Sequence, residues 1–331
     1  MSIIPPYDIE EINLDDYTNE IRNIILSNFK NYTKLKIFKC LNCNLEELPN
    51  LPNSLIKLNC SWNKLIKLPD LPDSLIYLDC SWNKLIKLPD LPDSLIYLNC
   101  CNNKLIKLPN LLNSLTYLNC NNNNLTELPD LPNSLRGLSC GNNKLKKLPD
   151  LPNSLIKIWC YNNYLTKLPT LPNSLTYLDC NNNNLTELLN LPNSLIELNC
   201  NNNNLSELPN LPNSLKFLIC NNNNLTELLN LPNSLIELHC NNNNLTELLN
   251  LPNSLKYLDC YNNNFTYPNL EIETINEINL KNRIIKRMKL INRNLLLEHS
   301  AMISMNPKRI KRLLDNNEID FFDGSFDNLT T

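Results

Sequence analysis

Leucine recurs along most of this chain in a fixed order, and the order repeats every 20 residues. The phrase is first complete at residues 51–70, LPNSLIKLNCSWNKLIKLPD, returns at Leu71 and Leu91, and continues to a copy starting at Leu251. Within it Leu58 and Cys60 alternate with Lys57, Asn59 and Ser61. Alternation of period two predicts a short strand, apolar on one face and polar on the other. Leu65 and Leu68 then turn inward, followed by Leu51-type and Leu55-type residues on the return path. A looser first copy has Leu35, Phe38, Cys40, Cys43 and Leu45, and the last has Leu255, Leu258, Cys260, Asn263 and Phe265, which makes twelve copies. One copy cannot bury its own leucines, whereas a stack of neighbours can. Stacking in register predicts a parallel sheet with its polar face open on one side of a solenoid.

The remaining positions follow from backbone chemistry. Asn63 and its equivalents stand where the chain leaves the strand. A buried amide there is expected to bond the backbone of its own turn and of the next, satisfying groups that the turn would orphan. The return segment, Leu-Pro-x-Leu-Pro-x-Ser, is too short and too rich in proline for a helix. Extended or polyproline-like backbone is expected on the convex side. The inner positions are similar to the leucine-rich repeat pattern, L-x-x-L-x-(L/C)-x-x-N-x-L. The expected fold class is an α/β repeat solenoid with a concave parallel sheet and helical caps.

Three regions follow. Residues 1–34 precede the repeats, and Asp15 and Asp16 are placed to cap a helix carrying Tyr17, Ile21, Ile24, Ile25 and Phe29 at helical spacing. It is read as a helical N-terminal cap, because a terminal repeat would otherwise expose its core. Residues 35–265 form the solenoid. Residues 266–331 break the period, with helices expected over 284–297 and from Asn306-Pro307, and are read as a basic helical C-terminal cap or tail.

Composition narrows the function. A formal net charge of −3 makes the whole chain neither a nucleic-acid magnet nor an acidic tail. Three glycines argue against a phosphate-cradling loop. Of fourteen cysteines, twelve fall at the 20-residue spacing from Cys40 to Cys260, always at the inward position. Parallel side chains point the same way, so these thiols are read as apolar filler and not as disulfides. Cys40 and Cys43 have zinc-ligand spacing but no second pair, and no metal is expected there. Cys101 is the one cysteine expected on the polar face, where it is a candidate reactive thiol. No secretory signal and no membrane-spanning run is visible, so a reducing, intracellular and cytoplasmic setting is expected. Only two histidines occur, His239 and His299, and no nucleophile motif or nucleotide-binding signature accompanies them. A protein without enzymatic activity or cofactor is expected.

Candidate binding residues lie where the copies differ. On the open face, the column before the second leucine reads Lys57, Tyr77, Tyr97, Tyr117, Gly137, Lys157, Tyr177, Glu197, Phe217, Glu237 and Tyr257. Trp62 and Trp82 lie at strand exits, and Trp159, Tyr161 and Tyr164 make a further cluster. Exposed aromatic rows are contact material, so Trp62, Tyr77, Trp82, Tyr97, Tyr117, Trp159, Tyr161 and Tyr177 are the expected site on the concave face. One flank runs from Lys67, Lys87 and Lys107 to Glu187, Glu207, Glu227 and Glu247. The expected partner is a protein, from the host cell if the chain is viral, and the chain is expected to be a monomer. Nucleic acid is expected only through residues 281–312, which carry ten Lys and Arg against Glu298.

The phrase L-P-x-L-P-x-S-L-x-x-L-x-C-x-x-N-x-L-x-x-L-P resembles the short repeats of bacterial secreted effectors, the YopM-like scaffolds and the repeat domains of IpaH-type ubiquitin ligases. The resemblance covers about residues 35–265. It implies a horseshoe or gently twisted solenoid with a helical N-terminal cap, binding proteins on its concave face. The ligases carry a large C-terminal domain with a nucleophilic cysteine, and no cysteine follows Phe265 here, so ligase activity is not implied. The Asn-, Lys- and Ile-rich wording and the tail NPKRIKRLLDNNEIDFFDG are similar to leucine-rich repeat proteins of mimivirus-like giant DNA viruses. The PNSLKxL phrase resembles amoebal FNIP repeats without their FNxP element. The reading is an interaction scaffold, with two alternatives: a substrate adaptor for a ubiquitin ligase, or a basic-tailed nucleic-acid-associated protein.

Overall fold

A computed structural model describes residues 4–246, 248 and 251–264. Among the described residues there are thirteen strands of three residues, the pairings within each unit are parallel, and the repeats divide into two compact units at Leu145/Lys146. The first unit holds β1 (Glu11–Asn13), β2 (Ile37–Lys39) and five further strands to β7 (Gly137–Ser139). The second holds β8 (Lys157–Trp159) to β13 (Tyr257–Asp259). In each unit strand order is chain order, and from β2 onward a strand begins every 20 residues. The solenoid of parallel strands expected from the leucine period is therefore the fold.

The register follows from the core. Leu58 pairs with Leu78 and Leu78 with Leu98, so each rung sets its central leucine on the next. These leucines, with Leu55, Leu65 and Cys60, are fully buried. A one-residue slip would turn every leucine outward, so burial of one face holds the register. The parallel ladder continues past each strand, as Cys60 N–H donates to the Asp79 carbonyl over 2.8 Å and Trp62 N–H to that of Ser81 over 3.0 Å.

The ladder asparagines from Asn63 to Asn243 are buried as expected and Asn263 is half-buried, but they reach the preceding rung and not the next. Asn83 Nδ2 donates to the Cys60 carbonyl one rung back and to the Cys80 and Ser81 carbonyls of its own turn, while its Oδ1 accepts from Leu65 N–H. A second ladder was not expected from the sequence. The serine of each return segment donates to a carbonyl one rung back, as Ser94 Oγ does to Leu75 over 2.6 Å and Ser194 Oγ to Leu175 over 2.6 Å. The same segment is not extended throughout, because Leu55 N–H closes a turn on the Pro52 carbonyl at 3.0 Å, and Leu75 on Pro72 likewise.

The N-terminal segment differs from its expected form. It supplies a strand, β1, which pairs with β2. The helix α1 (Asn19–Ser27) begins later than Asp15 and Asp16, which lie in a 3-10 turn; Thr18 precedes it without a side-chain capping bond. Phe29 falls beyond the helix, where its ring packs on Phe38 of the first repeat with centroids 4.6 Å apart. The expected C-terminal helices and the basic stretch 281–312 lie outside the described residues.

Candidate protein-interaction surface

Each strand sends its first and third residues to the face opposite its buried centre, so the open face is two columns wide along the strands. In the first unit the first column starts with Glu11 and Ile37 and continues with Lys57, whose Nζ sits 4.6 Å from the centre of the Tyr77 ring. Tyr77 and Tyr97 stack with centroids 4.4 Å apart and planes 3° apart. The sequence predicted a row of exposed rings, yet Tyr77, Tyr97 and Tyr117 are only 3%, 2% and 7% exposed. Burial pushes the Tyr77 and Tyr97 hydroxyls above the usual phenol range, and Asp79 adds to the effect. Burial likewise lowers Lys57 to about 8, helped by the Lys39 charge. From Asn59 to Asn119 the second column is amide and carboxylate, and much of its hydrogen-bonding capacity is already used. Asn59 Oδ1 accepts from Ser61 N–H and Oγ, and Asp79 Oδ1 accepts from the same two groups of Ser81.

The face of the second unit has another character. Lys157 and Trp159 of β8 are followed by Tyr177 and Asp179, Glu197 and Asn199, Phe217 and Ile219, Glu237 and His239, and finally Tyr257 and Asp259. Trp159 is nearly buried and leans on Tyr177 at 4.8 Å, while Tyr177 itself is half-buried. Asp179 accepts 2.6 Å from Asn181 Nδ2, yet burial raises its carboxyl to about 6. His239 lies 3.8 Å from both the Glu237 and Asp259 carboxylates, and its ring meets Tyr257 at 4.7 Å. Four carboxylates against one lysine and one histidine make this face acidic.

Five of the eight residues chosen from the sequence, Tyr77, Tyr97, Tyr117, Trp159 and Tyr177, are therefore on strands. Tyr161 follows β8 and is buried. Trp62 and Trp82 lie outside the strands: they occupy the turn after the strand, at φ 57° and 53°, and are 51% and 41% exposed. Their conformation had a sequence signal. In the other ten turns this position is asparagine, from Asn42 to Asn262, the residue that best tolerates positive φ after glycine. Cys101, expected on the polar face, is buried, and the two half-buried thiols are Cys43 and Cys260. Among the described residues no cluster of three or more His, Cys, Asp or Glu could hold a metal ion.

No protein-family model matches the chain, and no curated protein matches it. Solved structures do. YopM from Yersinia enterocolitica is 38% identical with a TM-score of 0.67, over 70% of this chain and 56% of that one. The functional domain of InlJ from Listeria monocytogenes, which includes a cysteine ladder, is 27% identical with a TM-score of 0.56, over 72% of this chain and 61% of that one. The Toll–Spatzle complex of Drosophila matches at 22% identity and a TM-score of 0.55, over 76% of this chain and 39% of that one, and bears on fold alone. The chain thus spans little more than half the length of the YopM chain it matches. With the leucine register, the asparagine ladder and these neighbours together, the chain is a leucine-rich repeat protein.

Proposed function

We propose that the chain is a non-enzymatic scaffold that binds a protein partner on the open strand face of its repeats, the face a horseshoe would make concave. The observation that carries this is where the copies differ. The inward leucines, the ladder cysteines and asparagines and the return-path serines are nearly constant, because packing and hydrogen bonding demand them. The outward strand positions run through lysine, tyrosine, glutamate, phenylalanine and histidine, where the fold makes no such demand. Irregular aromatic and charged residues on a regular frame are what selective recognition needs. The likeness to YopM supports the short-repeat effector reading of the repeats. In this reading residues 1–34 close one end of the 35–265 solenoid, residues 266–331 follow it, and a ladder of buried thiols used as apolar filler fits a reducing intracellular setting.

Cross-linking of the full chain in host-cell lysate tests the reading. Reversing Glu197 and Glu237 to lysine, or truncating Tyr177 to alanine, is expected to lose the captured protein. Equal recovery by these variants would place the site elsewhere. Capture of ubiquitin-ligase subunits would select the adaptor reading, and nuclease-sensitive recovery through residues 281–312 would select the nucleic-acid reading.

A further inference from the structure

The two tryptophans in the turns belong to a larger pattern on one flank of the first unit. After the strand and its left-handed turn the residues alternate, with Asn63 and Leu65 buried and Trp62, Lys64 and Ile66 facing outward. The next rung repeats this with Trp82, Lys84 and Ile86, and the one after with Asn102, Lys104 and Ile106. Ile66, Ile86 and Ile106 are 59%, 58% and 62% exposed, and rungs of a parallel sheet are roughly 4.8 Å apart, so the three form one continuous apolar strip. Trp62 and Trp82 stack at 4.2 Å with planes 10° apart, extending the apolar area on the far side of the lysines. A second lysine column, Lys67, Lys87 and Lys107, borders the strip. Among the described residues none of these six lysines pairs with a carboxylate. In the second unit the same places hold Asn184, Thr186 and Glu187, or Asn224, Thr226 and Glu227, so the pattern is not required by the repeat.

The backbone makes the same point. A bulky residue at positive φ is strained, and asparagine, used in the other ten turns, would relieve that strain. Strain that a ready alternative would remove is characteristic of functional positions. We propose that this flank is a second docking site, distinct from the strand face, for an acidic peptide segment that carries apolar side chains. Charge and shape choose that occupant. Six unpaired ammonium groups call for carboxylates, and the isoleucines and indoles between and beside them call for apolar side chains at short intervals. A phosphate backbone has no use for the isoleucine strip. A bilayer has little purchase on three rungs, which span only about 10 Å.

The test uses the full chain and a short fluorescent peptide in which Asp and Glu alternate with Leu and Phe. Trp62→Asn with Trp82→Asn restores the residue the other turns carry, so the variant is expected to fold at least as well as the parent. Binding of the peptide to the parent is expected, weakened about tenfold or more in that variant. It is also expected to weaken as salt rises from roughly 0.05 to 0.3 M. Replacing Leu and Phe in the peptide by serine should weaken binding similarly, and Tyr177→Ala on the strand face should leave it unchanged. Three outcomes would overturn the proposal: no binding to the parent, equal binding to the double variant, or tighter binding to phosphatidylserine vesicles or poly(U) than to the peptide.

Discussion

The side chain of Asn143 reaches back one rung: its Nδ2 donates to the Cys120 carbonyl over 3.0 Å. The same amide donates to the Cys140 and Gly141 carbonyls, and its Oδ1 accepts from Leu125 N–H over 3.0 Å. One amide thus closes its own turn and ties it to the turn before, with every group buried. Repeated along each unit, this tie converts a stack of separate rungs into a continuous ladder.

Asn143→Ala leaves the Leu125 N–H without its acceptor inside the protein, at a cost of about 1–3 kcal/mol. Urea unfolding measures it, with an unchanged slope showing that the same surface is exposed. Asn143→Asp keeps the acceptor but removes the donors and turns a carboxylate toward three carbonyl oxygens. It is expected to lose more stability at pH 7 than at pH 4. Equal loss at the two values would mean the carboxylate escapes to solvent.

Trp62 and Trp82 oppose strain to stacking. A left-handed conformation costs an ordinary residue roughly 1–2 kcal/mol, and an aromatic stack returns about 0.5–1.5 kcal/mol. Trp62→Asn alone relieves one strain and loses the stack, so its net effect is small. Adding Trp82→Asn relieves the second strain with no stack left to lose. The double variant is therefore expected to be more stable than the two single effects added, by about the energy of the stack. Additive singles would show that the indoles do not support one another.

Asp179 carries a pH signature. Its folded carboxyl titrates near 6, above the ordinary carboxylate value, because burial disfavours the charge. The folded state then holds the proton more tightly than the unfolded state, so its contribution falls as pH rises from about 4 to 6 and stays low above. Asp179→Asn, the residue that stands at this place as Asn99 and Asn199, is expected to raise stability at pH 7 by about 1–3 kcal/mol. The gain should shrink toward pH 4. A gain independent of pH would assign the effect to hydrogen bonding and not to charge.

The thiols predict a labelling order. Several ladder cysteines donate to the carbonyl of the next rung, as Cys100 does to Asn119 over 3.4 Å, and burial raises their pKa well above the free value. Cys43 is half-buried, but burial and the Asp15 hydrogen bond push it up to about 11. At pH 8 about a thousandth of such a thiol is ionised. Native protein is expected to label slowly, Cys43 and Cys260 first, while denatured protein yields all fourteen thiols. Rapid labelling of Cys140 or Cys200 would contradict their burial.

The sequence by itself determined the period, the strand positions, the inward leucines and cysteines and the burial of the ladder asparagines. Each is a local chemical demand copied every 20 residues, so one copy reads all the others. The tertiary structure decided what depends on neighbouring rungs. Asn83 bonds backward and not forward, because a stacked strand places the Cys60 carbonyl beside its amide. Ser94 finds the Leu75 carbonyl only once two return segments lie side by side. β1 joins the sheet because β2 presents an open edge, although its three residues show little of the leucine phrase. Tyr77 and Tyr97, exposed by strand alternation alone, stack with one another and are buried. Trp62 and Trp82, in the same sequence neighbourhood, lie outside the strands in a left-handed turn and stay in solvent. Strand alternation states which way a side chain points, whereas burial depends on what packs above it, and only the assembled fold supplies that.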